Sequence, residues 1–142
     1  MLAVGDGLGC PGVRSASMDA EAAARAWVEG WTKGWEQGDA DAIGALYAED
    51  AVFRSHPFRD PERSARDYAL RSFADEDLVE CRFGEPVVAG DRAAVEYWAI
   101  LRTENGDEAL AGVAVVLFGP DGRVVEQRDY WSMQPGRREP NF

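Results

Sequence analysis

The residues best suited to chemistry surround one carboxylate that sits where a core residue belongs. Residues 124–131 read Val-Val-Glu-Gln-Arg-Asp-Tyr-Trp. A strand alternates its faces, so Gln127, Asp129 and Trp131 share one side and Glu126, Arg128 and Tyr130 the other. If the first side faces a dry concavity, Asp129 is a buried acid. Apolar walls raise a carboxyl pKa and make the group a general acid or base. The plainer expectation is a structural acid that accepts hydrogen bonds from Gln127, Tyr97, a Trp indole or the backbone. His56, the single histidine, lies in Arg54-Ser55-His56-Pro57-Phe58. It is a candidate base or proton shuttle, although a lone loop histidine also serves as a surface or packing residue.

Trp27, Trp31 and Trp35 recur at helical spacing and make one aromatic stripe. Such a stripe packs a core, and one or two of its rings can also line a cavity for an apolar or aromatic guest. The expected guest-binding set is Trp31, Tyr97, Gln127, Trp27, Phe58, Tyr68 and Trp131. One histidine and scattered carboxylates lack metal-ligand spacing, so no metal site is expected. Nor is there a nucleophile elbow, a Walker loop or a dinucleotide fingerprint. Proton transfer by Asp129 needs no cofactor. Arg54, Arg59, Arg63, Arg66 and Arg71 read as a solvated face with acidic partners; steering of an anionic ligand is the alternative.

The elements that must position these groups are legible. The 142 residues support one domain with a real core. A formal charge of −11 argues against nucleic acid and anionic lipid as partners. No stretch is long or apolar enough to span a bilayer. Cys10 and Cys81 make no disulfide framework, which fits a reduced, cytoplasmic protein. Residues 1–17 read as a disordered leader, 18–133 as the folded domain and 134–142 as a tail.

Met18 to Gln37 has helical periodicity, with Ser17 as cap and Gly38 as stop. Asp41 opens a short second helix through Ala48. Ala51 to Ser55 is a short strand or extended run. A third helix is expected from Asp60, with Pro61 at its first position, an inward stripe of Ala65, Tyr68, Ala69 and Phe73, and Glu62–Arg66 and Asp67–Arg71 pairs on its wet side. After Asp77 the period becomes two, with Val79, Cys81 and Phe83 alternating with Glu80 and Arg82. Strands follow at Ala93–Thr103, Ala109–Phe118 and 124–132, joined at Asn105-Gly106 and Gly119-Pro120-Asp121-Gly122. Helices followed by an antiparallel meander make an α+β fold. The outer sheet face would then leave Trp98, Ile100, Val113, Val115 and Tyr130 in water, unless loops or the tail cover them. An apolar patch of that kind marks a partner surface.

Two motifs carry a resemblance. The first is Gly38-Asp39-Ala40-Asp41 followed by Leu46-Tyr47-Ala48-Glu49-Asp50-Ala51-Val52-Phe53. The second is Gly122-Arg123-Val124-Val125-Glu126-Gln127-Arg128-Asp129-Tyr130-Trp131. In this order and spacing the chain resembles the nuclear transport factor 2-like superfamily and, within it, the SnoaL-like proteins. The resemblance implies a cone-shaped, cystatin-like barrel: a curved, mainly antiparallel sheet wrapped around the long first helix, with an apolar pocket inside. It also implies a homodimer through the outer sheet face. It places Asp129 where similar epoxide hydrolases and cyclases keep a catalytic acid. Other positions depart from the family patterns. Tyr97 and Ala99 stand where limonene-epoxide-hydrolase-like enzymes carry an Arg-x-Asp pair. Trp31, Ser55 and Ala114 stand at the ketosteroid-isomerase-like catalytic positions, and no strand His is present for a SnoaL-type cyclase pair. Only Asp129 is retained. Three readings stay open: a cofactor-independent cyclase, isomerase or hydratase acting on an apolar metabolite, a non-catalytic ligand-binding module, and a scaffold whose pocket its own side chains fill.

Overall fold

A computed structural model describes residues 18–142; the expected leader and the Ser17 cap lie outside the described residues. Helix α1 runs Ala20–Gln37. Asp19 caps it by accepting from the amides of Glu21 at 3.0 Å and Ala22 at 3.1 Å. Gly38 ends it at φ 65°, a left-handed conformation that glycine adopts without steric cost. The inward stripe is Ala24, Trp27 and Trp31, all buried.

Helix α2 spans only Ala40–Gly44, not the longer segment through Ala48. The chain instead enters strand β1, Tyr47–Arg54, which pairs parallel to the last strand. The Leu46 carbonyl accepts from the Val124 amide at 2.9 Å and fixes the entry. Helix α3 is Ala65–Asp75, capped by Ser64 rather than started at Asp60. The amide of Glu62 donates to the Phe53 carbonyl at 2.8 Å, so residues before Ser64 are tied to β1 and are unavailable to a helix. The expected helical ion pairs change accordingly. Glu62 pairs with Arg71 at 2.7 Å, Arg66 with Asp41 at 2.5 Å, and Asp67 with Arg63 at 3.7 Å.

The remaining strands are β2 Asp77–Phe83, β3 Val87–Ala89, β4 Arg92–Thr103, β5 Gly106–Phe118 and β6 Val124–Pro135. The sheet order is β1-β6-β5-β4-β2, with β3 also on β4. The sheet is mixed, with six strands, and it is not closed into a barrel. Both turns fall where the sequence puts them; Gly106 and Gly122 take φ 99° and 84°. A register shift between Leu78 and Glu80 interrupts the expected alternation and leaves Val79 37% exposed.

One inner-face row runs Tyr97–Gly112–Trp131 across β4, β5 and β6, and the next runs Val95–Ala114–Asp129. The small residues Gly112 and Ala114 leave the concavity between larger neighbours. A Cβ on Gly112 would lie 2.6 Å from the Trp131 Cβ and 2.5 Å from the Tyr130 carbonyl oxygen.

The outer face departs from the exposed apolar patch expected of it. Trp98, Ile100 and Ala109 form a buried cluster. The Trp98 indole donates to the Arg138 carbonyl at 2.7 Å, and Arg82 donates to the Phe142 carbonyl at 3.0 Å. The tail therefore lies along this face and covers Trp98, while Tyr130 stays open to solvent. No helix among the described residues is long and apolar enough to cross a membrane.

Candidate functional site

Between α1, α3 and the inner sheet face lies a cavity of ≈ 50 Å³, room for a few waters or one compact group of similar size. Helix α1 contributes Trp27, Trp31 and Trp35. Helix α3 and the residue after it contribute Tyr68, Phe73 and Glu76. The sheet contributes Phe83, Tyr97, Leu110, Gln127, Asp129 and Trp131. Of the expected binding set, Trp31, Tyr97, Gln127, Trp27, Tyr68 and Trp131 thus come together. Phe58 does not: it is 92% exposed and lines no part of the cavity.

Asp129 is 8% exposed, and its one hydrogen bond among the described residues comes from the Gln127 amide nitrogen at 2.9 Å. The orientation of that amide is fixed behind it. The indole of Trp27 lies 3.1 Å from Gln127 Oε1. Indole N–H is a donor only, so the amide oxygen must face it and the NH₂ must face Asp129. The Tyr47 hydroxyl adds a second donor to the same oxygen. Tyr47 in turn accepts from Trp31 Nε1 at 2.8 Å and from Trp27 Nε1 at 3.3 Å. A buried relay thus runs from two helix indoles through Tyr47 and Gln127 to one carboxyl oxygen.

Burial pushes the Asp129 carboxyl up to about 7, and the Gln127 hydrogen bond only partly opposes that rise. Burial also raises the phenols, Tyr68 to about 12 and Tyr47 and Tyr97 well above their ordinary value. These hydroxyls stay neutral at physiological pH. Glu76 is raised by burial and then by the nearby charges of Asp75 and Glu108. Asp129 is consequently the deeply buried group of the cavity whose charge changes near neutrality.

His56 stands outside the lining. Its ring meets Trp131 edge-on at 4.9 Å between centroids, and its Nδ1 accepts from the Phe58 amide at 3.3 Å. Trp131 is held on further sides by a 2.5 Å bond from its indole to the Ser55 carbonyl and by the Arg59 guanidinium, 5.3 Å from the ring centroid. The Ser55 hydroxyl is committed to Glu62 at 2.5 Å. His56 is therefore placed to support the Trp131 wall. Among the described residues no cluster of three His, Cys, Asp or Glu is gathered for a metal.

Sequence reasoning missed Tyr47, which it put inside the expected second helix. The signal was its place in the Leu46-Tyr47-Ala48 motif, six residues before the buried Phe53. It also missed Phe83 and Trp35 as lining, although both lie in the patterned segments, and Glu76, which no periodicity marks.

The raised pKa of Asp129 has a stability consequence. An unfolded Asp titrates at 3.8, the folded one at about 7. Between those values the native state holds a proton that the unfolded state has released, so stability falls as pH rises through this window and levels off above it. The loss is about 4 kcal/mol for the full shift, an upper figure. Urea denaturation should show Asp129→Asn more stable than the parent above about 7 and near-equal to it below the unfolded value. Equal stabilities across the range would contradict the burial argument.

A family model for the SnoaL-like domain matches residues 24–127. No curated protein matches the chain significantly. Among solved structures, the chain is similar to an epoxide hydrolase of the limonene-epoxide-hydrolase-like type from M. tuberculosis, at 22% identity and TM-score 0.62, covering 78% of this chain and 82% of that one. It is similar to SalBIII, an epoxide hydrolase/cyclase-like enzyme in pyran ring formation in the polyether salinomycin, at 21% identity and TM-score 0.66, covering 80% and 93%. It is also similar to a hypothetical protein of ketosteroid isomerase-like fold from Catenulispora acidiphila, in complex with trimethylamine, at 17% identity and TM-score 0.66, covering 75% and 85%. At these identities the structures show a common fold, a helix followed by a curved mixed sheet. The family match spans most of the chain: the protein belongs to the SnoaL-like domain family.

Proposed function

We propose that this protein is a cofactor-independent proton-transfer enzyme whose general acid/base is Asp129, acting on a small molecule held among the aromatic rings. The observation that carries the reading is a single carboxyl group, poised near neutrality by burial, with only one of its oxygens hydrogen-bonded among the described residues. Gln127 donates to that oxygen and leaves the other to take a proton from, or return one to, the guest. Isomerisation, cyclisation and hydration all use such a step. Similarity to epoxide hydrolase/cyclase-like structures is in keeping with it. The roles of Trp27, Trp31, Tyr68, Tyr97 and Trp131 are to exclude water and orient the guest, with His56 acting through Trp131.

A second reading, a non-catalytic binding module, draws on a specific feature. Among the described residues no titratable side chain hydrogen-bonds Asp129, so none of them is in place for a complementary proton step.

The proton-abstraction probe 5-nitrobenzisoxazole separates the two. The enzyme reading expects base-promoted ring opening whose rate rises as pH passes about 7 and then levels. In Asp129→Asn that rate should fall at least about 100-fold, and denaturation shows whether the variant remains folded. A rate unchanged in Asp129→Asn would refute it.

The homodimer belongs to the same proposal, confined to the part of the outer face that the tail leaves open, around Val113, Val115 and Tyr130. Sedimentation equilibrium should show a dimer that Tyr130→Glu dissociates; a monomer at all concentrations would remove it.

A further inference from the structure

The cavity lining has a charge character that proton transfer alone does not require. Among the described residues no Lys, Arg or His lines it, and its two carboxyls are Asp129 and Glu76. Four of its rings close a circuit. Trp27 and Trp31 lie 6.2 Å apart between centroids, Trp31 and Trp35 6.4 Å, Trp35 and Phe83 6.4 Å, and Phe83 and Trp27 5.7 Å. Neighbouring planes are inclined by 49° to 90°, so the π faces point in several directions rather than forming one stack. Aromatic faces attract cations through the ring quadrupole, most strongly where water is excluded.

We propose that the guest carries a small organic cation, a methylated ammonium head, seated among Trp27, Trp31, Trp35 and Phe83 with Asp129 as its counter-ion. The proposal rests on the reading of this cavity as the working site and names the class of molecule it takes. An anionic guest would meet two carboxyls and no cation. A neutral apolar guest would leave the charge of the Asp129 carboxylate uncompensated in a dry site, at a desolvation cost. A cation satisfies it. The cavity volume of ≈ 50 Å³ fits one compact head, with the rest of the molecule toward the mouth. The net charge of −11 favours approach of cations from solution.

The charged and titratable groups around Asp129 are consistent with this assignment. Tyr47 from β1, Tyr68 from α3 and Tyr97 from β4 are phenols held neutral by burial. Glu76 closes the α3 side. Arg59 rests on Trp131 and is not part of the lining, although its charge reaches Tyr68 and Glu76. A bound cation favours the carboxylate over the acid. Binding would therefore shift Asp129 to its carboxylate when substrate is present: its O–H bond breaks and the proton leaves to solvent.

The test compares choline with its neutral isostere 3,3-dimethylbutan-1-ol, by calorimetry and by the fluorescence of the cavity tryptophans. Above about 7, choline should bind at least about tenfold more tightly than the alcohol. Its affinity should fall as Asp129 takes up a proton below that value, and Asp129→Asn should lose both the preference and the pH dependence. The proposal is overturned if the alcohol binds as well as choline, if choline affinity ignores pH and Asp129, or if neither ligand binds. Loss of this preference with the Asp129-dependent ring opening intact would remove the cation and leave the base. Choline binding without any Asp129-dependent ring opening would remove the base and leave a cation binder.

Discussion

The site depends on the direction in which one side-chain amide points. Gln127 is 1% exposed, and its oxygen is claimed by the Trp27 indole and the Tyr47 hydroxyl. Reversing the amide would set its NH₂ against an indole N–H and leave Asp129 facing an oxygen. Each of those contacts is an unpaired buried polar group, worth about 1–3 kcal/mol. The amide is therefore locked, and with it the donor that faces Asp129. A carboxyl with one donor is only partly compensated for its burial, which is why its acidity is driven toward neutrality rather than held in the usual carboxylate range. Two or three backbone amides in place of one side-chain amide would have kept it ionised and inert.

This polar relay couples the fold to the site. Trp27 and Trp31 belong to the helix stripe that fills the sheet's concave side, so packing α1 and orienting Gln127 are one event. Tyr47 brings in β1, whose parallel pairing with β6 places Phe53 beside Gln127. Ala114 and Gly112 on β5 complete the arrangement by omission: neither offers a donor to Asp129, and neither fills the space in front of it. The acid is left solitary by the residues around it as much as by its own position. Trp131, braced by Ser55, His56 and Arg59, closes the same space from the mouth.

Much of this was legible in the sequence. Period-two alternation in residues 124–131 assigned Gln127, Asp129 and Trp131 to one face, and burial follows that assignment. Helical spacing assigned Trp27 and Trp31 to the core. What escaped depended on contacts between distant segments. Tyr47 has helix-compatible neighbours, and only pairing with Val124, far along the chain, makes its segment a strand. Asp60-Pro61 is a good helix start locally, but a backbone bond to Phe53 overrides it. The outer face looked bare because a polar tail gives no periodic sign that its carbonyls will meet Trp98 and Arg82. Phe58 follows the histidine in sequence yet points to solvent, since a loop carries no alternation from which to read direction.

The most direct measurement is carbon-13 titration of the Asp129 side-chain carboxyl in the folded protein without ligand. A midpoint close to 7, absent in Asp129→Asn spectra, is the expected result. A midpoint near 3.8, the value of a hydrated aspartate, would mean the carboxyl is not sequestered, and the account of the site would fail with it.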